Sequence, residues 1–587
     1  MNTRGHNFVW ATLLVMLVSP VSVGRADEAA LPAYPTQVFW GDTHVHTSLS
    51  GDAFTLGTRL TPDDAYRFAK GEAIRSTGGR EVRLRRPLDF ILIADHAENL
   101  GVLASLAADD ELVPETKTSQ HWGSILADLP PLSEILNAAT REEFRKKSGQ
   151  RYAAKKAKTA DYSIDEGFRQ TVWQGIVEVA ERHYDPGTFT TFTGYEWGAR
   201  DGHMIHRNVL FADGPEVTNH ILPFTGYESS DVEDLWAYLT TYEEEHQGHA
   251  IAIPHNGNMS AGSMFALRTF SGEPLSQTYA NQRARWEPIY EVTQIKGDGE
   301  THLLLSPQDE FADFETWPPK IYGSAATGEE FSYARSALKH GLQQEAELGA
   351  NPFKFGMIGS TDSHTALATA DEDQFLGKMG LNEPSPYRSI DQWFYSASGY
   401  AAVWAEENTR ESLFAAMKRK ETYASTGPRM VVRFFGGWDY EDGDAESEDL
   451  ARIGYQNGVP MGGDLAHAPD DKAPRFIVSA SKDPDGANLE RLQIVKGWQD
   501  KKGELQEKVI DIALSDDQAG AAKLATVWQD PDFDNNCPAF YYVRVIEIVT
   551  PRWTAYDAQY FELEDLPEEV PMTIQERAYT SPIWYTP

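Results

Sequence analysis

Five apolar segments, each running into a histidine or an acid, constrain this chain more than any other feature of its 587 residues. Gln37-Val-Phe-Trp-Gly-Asp42 leads into Thr43-His-Val-His46, and Leu88-Asp-Phe-Ile-Leu-Ile-Ala94 ends in Asp95-His96. Thr188-Phe-Thr-Thr-Phe-Thr-Gly-Tyr195 precedes Glu196, Ala250-Ile-Ala-Ile-Pro254 precedes His255, and Phe355-Gly-Met-Ile-Gly359 leads to Asp362 and His364. The apolar, β-branched and aromatic content of each segment predicts a short buried strand. Helix-like mixtures over 62–70, 231–245 and 332–347 separate them. Strands alternating with helices predict a mostly parallel α/β fold, and in a barrel of that kind the polar tips would converge at the C-terminal rim of the strands.

Between 100 and 187 the sequence turns polar, with a Lys/Arg-rich stretch over 145–156 and a helix expected over 170–182. We read it as a helical insertion over the rim, either gating the site or elaborating a loop. Further insertions are expected over 265–286 and 371–397. A helix over 411–420 and Thr422-Tyr-Ala-Ser-Thr-Gly-Pro-Arg429 close the first part, residues 27–429. Beyond it, strand-like runs over 430–435, 475–480, 489–495, 509–513 and 541–548 alternate with Gly, Pro and Asp turns. They predict a β-sandwich-like C-terminal domain over 430–587. The acidic run 439–449 reads as a solvated loop.

The apolar share of 41% supplies two cores, and the net charge of -37 repels nucleic-acid phosphates and anionic membranes. A small anionic substrate stays compatible, because bound metal ions set the field locally. Arg4 and His6, the apolar run 8–18 and the small residues up to Ala26 read as a signal peptide over 1–26, the run being short for a bilayer span. The expected product is exported, periplasmic or secreted, with no stable membrane insertion after cleavage. Cys537 is the only cysteine, which excludes an intrachain disulfide and a thiolate cluster, so a metal would be held by imidazole and carboxylate.

His44, His46, Asp95, His96, Glu196, His206, His255, Asp362 and His364 are the candidate metal ligands. They exceed what one ion uses and imply two or three divalent ions, zinc, manganese or iron, with Glu196 as the candidate bridge. His203 competes with His206, while His246 and His249 near His255 read, like His203, as surface or supporting histidines. Asp42 and Asp52 sit beside the His-x-His pair, where they would orient a ligand, and Asp52 could also transfer a proton. Arg207 and Arg429 are the candidates for an anionic substrate group, with a domain-interface contact as the alternative for Arg429.

Gly41-Asp-Thr-His-Val-His-Thr-Ser-Leu-Ser-Gly-Asp52, Ala94-Asp-His96, Gly194-Tyr-Glu196, His206, Pro254-His255 and Ser360-Thr-Asp-Ser-His364 together resemble the ordered motifs of the polymerase and histidinol phosphatase (PHP) superfamily. Within it the chain is similar to a branch of long, often exported bacterial proteins. The resemblance implies a distorted (β/α)7 barrel, a two- or three-metal centre and phosphoester hydrolysis. His44 and His46 would hold one ion with Glu196 and Asp362. Glu196 would bridge to a second ion held by His206 and His255, and Asp95 or His96 with His364 would complete the set. The expected chemistry is attack by a metal-bound hydroxide on a phosphodiester, phosphonate ester or phosphomonoester, with His255 or His364 passing a proton to the leaving group. Two alternatives stand beside it: hydrolysis of carboxyl derivatives or sulfate esters, and a non-catalytic, metal-stabilised carbohydrate or surface binder.

Overall fold

The computed structural model describes Met1 and residues 34–135, 165–202, 204–317, 330–469, 472–516 and 518–587. The expected leader, the basic stretch 145–156 and His203 lie outside the described residues. Among the described residues no helix is long and apolar enough to cross a membrane.

All five strand-and-tip segments are strands. They are β1 (Gln37–Val45), β2 (Phe90–Ile93), β3 (Thr190–Gly198), then, after an intervening strand β4 (His206–Phe211), β5 (Ala250–His255), and, after β6 (Ile289–Gln294), β7 (Gly356–Gly359). Every residue of β2, β3, β5, β6 and β7 is buried, as strands covered on both faces require. Two further strands, β8 (Tyr400–Ala405) and β9 (Thr422–Ser425), extend the sheet on the other side of β1.

The fold is mixed α/β rather than mostly parallel. β1, β2 and β3 pair in parallel, as do β6 and β7. β4 is antiparallel to both β3 and β5, and β8 is antiparallel to β1. The physical reason lies in the connection 199–205, which is too short for the crossover that a parallel neighbour needs and long enough only to fold back. Gly194 permits the close approach this creates, since a Cβ there would stand 2.1 Å from the Val209 carbonyl oxygen on β4.

Helices cover this sheet where the sequence placed them. The first turn beyond β1 is α1 (Gly51–Thr55), followed by α2 (Pro62–Ala69). Thr61 and Asp64 close a reciprocal cap around α2, with Pro62 in its first turn. The insertion contributes α3 (Lys117–Asp128) and α4 (Glu166–His183), whose Trp173, Ile176 and Val177 enter the core that also buries Tyr195 and Trp197 of β3. Then come α5 (Val232–His246), α6 (Ala334–Leu348) and α7 (Arg410–Lys418). The stretch 371–397 is irregular, with short helical turns only.

The C-terminal third adds β10 (Val431–Gly437), β11 (Arg475–Ser481), β12 (Leu489–Gln499), β13 (Leu505–Leu514), β14 (Lys523–Gln529), β15 (Ala539–Glu547), β16 (Arg577–Thr580) and β17 (Ile583–Thr586). β10, β11 and β14 form one sheet, whose Phe434, Phe476 and Val478 pack in a common core with Leu492, Ile494, Tyr541 and Val543 of β12 and β15. β15 pairs with β16, and β16 pairs with β9. The long sheet therefore runs without a break from the C-terminal strands to β1, and Tyr34–Pro587 cluster as one compact unit.

Near that junction burial, reinforced by the carboxylate of Glu576, pushes Glu547 at the end of β15 up to about 8 from its ordinary 4.5. The folded chain thus holds a proton there that the unfolded chain releases above pH 4.5. Stability from this group is full below that pH and is lost as pH rises through about 8. Replacing Glu547 by Gln is expected to flatten the fall of the urea midpoint between these pH values. An equal fall in the variant and the parent would refute the assignment.

Candidate metal centre

The tips of β1, β2, β3, β4, β5 and β7 meet at one place. His44 and His46 are fully buried, and the ring of His44 is fixed by Glu291 of β6, whose carboxylate oxygens both stand 3.1 Å from Nδ1. That leaves Nε2 of His44 facing Nε2 of His46 at 3.1 Å, Asp362 Oδ1 at 3.3 Å and Glu196 Oε2 at 3.5 Å. His46 is oriented in turn by the Ser50 hydroxyl at 3.2 Å from Nδ1. A second carboxylate, Asp42, ties the ends of the two strands together: it accepts from the amide of His44 at 2.9 Å and from the Thr361 hydroxyl at 2.5 Å.

Glu196 is the hub. Its Oε1 lies 2.6 Å from His206 Nδ1 and 2.7 Å from His255 Nε2, while its Oε2 lies 3.0 Å from His46 Nε2 and 3.4 Å from His96 Nε2. The residue is placed by pairing on two sides: its amide donates to the Asp95 carbonyl and its carbonyl accepts from the Ala97 amide on one, and it lies opposite Asn208 of β4 on the other. Burial pushes the Glu196 carboxyl up, but the imidazoles of His96, His206 and His255 outweigh this and hold it well below the usual carboxylate range. At the outer edge His364 Nε2 is 2.9 Å from Asp52 Oδ2, and His96 Nε2 is 3.4 Å from the same oxygen.

Asp362 takes a left-handed φ of 54°, uncommon for a residue other than glycine, which aims its carboxylate inward from the turn after β7. Lys296 and Lys378 both stand 2.6 Å from it. Lys378 also reaches the Asp362 carbonyl and lies 2.8 Å from His364 Nδ1. Burial pulls Lys378 down to about 8, with Asp362 opposing that fall. Burial first, then His46 and Lys378, bring His364 down to about 3.

The structure gathers eight of the nine expected ligands, and Asp52 with them, into four overlapping groups. These are His46, Asp52, His96 and His364; His44, Glu196 and His255; His44, His46 and Asp362; and His96, Glu196 and His206. Asp95 belongs to none of them; its carboxylate accepts from the amide and hydroxyl of Thr47, both at 2.6 Å, and so braces the turn that carries His46. Asp42 reaches the backbone of His44 and the Thr361 hydroxyl, not the ring of a ligand. His249 is on the surface beside Asp213.

Arg207 is not placed to meet a substrate, and Arg429 takes the interface alternative. Arg207 is buried with its Nε 2.9 Å from Glu287, a closed ion pair facing away from Glu196 along β4, where His206 and Arg207 alternate. Arg429 donates to the backbone carbonyls of Arg86 and Pro87, and its own amide donates to Asp483, so it fastens the C-terminal region to the loop before β2. The residues missed by sequence reasoning are Glu291, Lys296 and Lys378. Glu291 had a signal, a lone acid in the otherwise uncharged strand Ile-Tyr-Glu-Val-Thr-Gln. The lysines had none, since one lies in a two-residue hairpin turn and the other in an irregular stretch.

The donor set suits divalent ions. Glu196 Oε2 is buried and accepts no hydrogen bond, although three imidazole nitrogens stand within 3.5 Å of it. Ligands about 2.0–2.1 Å from a tetrahedral ion lie about 3.3 Å apart, which is the spacing seen among these atoms. The fold and the site thus define an α/β protein with clustered imidazole and carboxylate groups able to hold metal ions. Residues 33–519 and 516–587 match DUF3604, a family of proteins of unknown function, and the chain belongs to that family. No curated protein matches the sequence. Among solved structures, a two-domain protein of Bacteroides vulgatus ATCC 8482, described as containing a predicted PHP-like metal-dependent phosphoesterase, is similar with a TM-score of 0.29 and 10% identity. The alignment covers 86% of this chain and 90% of that one, and at this level it fixes neither fold nor chemistry.

Proposed function

We propose that this chain is an exported, metal-dependent hydrolase of phosphoesters built on a distorted seven-stranded barrel. The observation that supports it best is the division of labour at Glu196, whose two oxygens face two different sets of imidazoles beside a partly exposed edge. A structural metal site is usually closed and uses few ligands, whereas here Asp52 and His96 keep side-chain exposures of 25% and 19%. Barrel closure is supported by β5 packing beside β6, and β7 beside β8 and β9.

In this reading two or three zinc, manganese or iron ions are held by the four groups, with Glu196 shared. Bound there, they would acidify water and neutralise charge on the ester. The chain's own part is positional. Glu291 and Ser50 fix the rings of His44 and His46, and Asp362 is held in place by two ammonium groups. At the outer edge His364 and Asp52 face each other at 2.9 Å, which fixes the side of the centre that a substrate would meet.

The experiment is hydrolysis of bis-aryl phosphate, mono-aryl phosphate, aryl acetate and aryl sulfate by protein loaded separately with zinc, manganese or iron. Metal-dependent turnover of a phosphate ester is expected. Turnover confined to the acetate or the sulfate would move the reaction to carbon or sulfur.

A further inference from the structure

A cavity of about 1170 Å³ opens away from the candidate ligands, none of which lines it. Its walls come from residues between 310 and 316, from Trp393 and Phe394, from the turns that follow β13 and β15, and from the residues that lead into β16. Phe314, Trp393 and Phe394 supply aromatic surface, and Leu514 and Val549, 55% and 57% exposed, add aliphatic surface.

Most of the charge in the walls is closed into pairs. Arg491 stands 2.9 Å from Glu310 and 2.7 Å from Glu490, and Arg552 holds both oxygens of Glu315 at 2.8 and 2.6 Å. Two polar ends are left, two positions apart in the chain. The amide nitrogen of Gln575 donates to the Glu490 carboxylate at 2.5 Å and to the Glu547 carbonyl at 3.1 Å. Two acceptors on that atom fix which way the amide is turned, and its oxygen accepts nothing among the described residues. Arg577 is 3% exposed, and its Nε and Nη1 donate to the carbonyls of Gln575 and Phe311. Among the described residues its Nη2 donates to nothing and no carboxylate pairs with it, while the ring of Phe314 lies 3.7 Å from its Cζ.

We infer that this cavity is a second binding site, for an uncharged polyhydroxylated ligand, a sugar, with neighbouring hydroxyls on Gln575 and Arg577 and a ring face on the aromatic wall. A hydroxyl both donates and accepts, so two adjacent ones satisfy an acceptor and a donor that stand side by side. The C–H hydrogens of a sugar ring sit well on the negative face of an aromatic ring. Six carboxylates against three guanidiniums in the walls turn away an anion, and the unpaired guanidinium of Arg577 turns away a cation. A peptide strand is met by backbone groups along a sheet edge, whereas the two free ends here belong to side chains.

Calorimetric titration of the full chain with cellotetraose, mannotetraose, xylotetraose, chitotetraose and maltotetraose, beside tetragalacturonate and tetra-alanine, tests this. At least one neutral sugar is expected to bind, and neither the anion nor the peptide. Arg577→Met should weaken that sugar by about tenfold, the worth of one hydrogen bond to a charged donor. Gln575→Leu, at a half-buried position, serves if the first fails to fold, and should weaken the same sugar by a smaller factor. Affinity should be unchanged in His44→Ala, which damages the metal centre and not this cavity, so the inference stands or falls apart from the hydrolase reading. No binding of any neutral sugar, binding of tetragalacturonate or tetra-alanine in their place, or binding that both cavity substitutions leave intact overturns it.

Discussion

Glu196→Gln is expected to weaken metal binding more than about 100-fold, beyond what loss of an orienting neighbour costs. The substitution keeps the shape of the side chain and removes the charge that five imidazoles share. It also replaces one lone-pair oxygen by an amide that can only donate. Because Glu196 belongs to two of the four ligand groups, both should be damaged together. Asp52→Asn, in one group only, should leave part of the metal in place. Metal content after dialysis at fixed free ion concentration measures both. Ligand-linked stability gives a second readout, because an ion present at about 1,000 times its Kd adds about 4 kcal/mol to the folded state. The parent should show a large rise in Tm on metal addition and the Gln variant a much smaller one. Full metal content in Glu196→Gln would remove this carboxylate from the centre.

Arg544→Ala is expected to cost about 3–5 kcal/mol of folding stability. Arg544 of β15 is fully buried, with its guanidinium 2.7 Å from Asp309 Oδ1, 3.2 Å from Glu300 Oε2 and 2.9 Å from Gln493. Arg335 of α6, equally buried, holds the same two acids, at 2.9 Å from Glu300 and 2.8 Å from Asp309. Two cations and two carboxylates in a dry site balance one another. Removing one leaves a net charge that water cannot reach, and that cost dominates over the lost hydrogen bonds. Arg491→Ala provides the contrast, since its partners Glu310 and Glu490 are more open and it should cost less than about 1 kcal/mol. Urea midpoints at constant m-value measure both. Similar losses in the two variants would show that burial does not set the scale here.

The polar tips of the strands were legible because each strand is too apolar for an unpartnered His or acid to rest there, so tips at five strands implied a common destination. What could not be read was the direction of the chain between them. β4 reverses because of a short connection, and nothing in its own residues says that it pairs with β5 as well as β3. The same limit applies to charge. Asp95 and Asp52 look alike in sequence, both acids beside ligands, yet one is consumed by Thr47 and the other faces two imidazoles. Arg207 failed as a substrate group for a related reason: a strand alternates, and the neighbour of an inward His206 points to the opposite face. β16 and β17 went unread because they are short, and their stability comes from pairing with distant partners rather than from their own composition.

The unbroken sheet carries a consequence for how the molecule can be divided. A cut after residue 429 would follow the change in sequence texture, but it would strip β16 from β9 and leave backbone amides and carbonyls of Thr422–Ser425 without their strand. It would also remove Arg544 and Arg552, which grip Glu300, Asp309 and Glu315 in the segment that follows the turn bearing Lys296. The first 400 residues thus borrow their last layer from the final hundred. A shortened chain would carry the ligands without the strand and the arginines that back them, so the centre depends on residues more than a hundred positions beyond its last ligand.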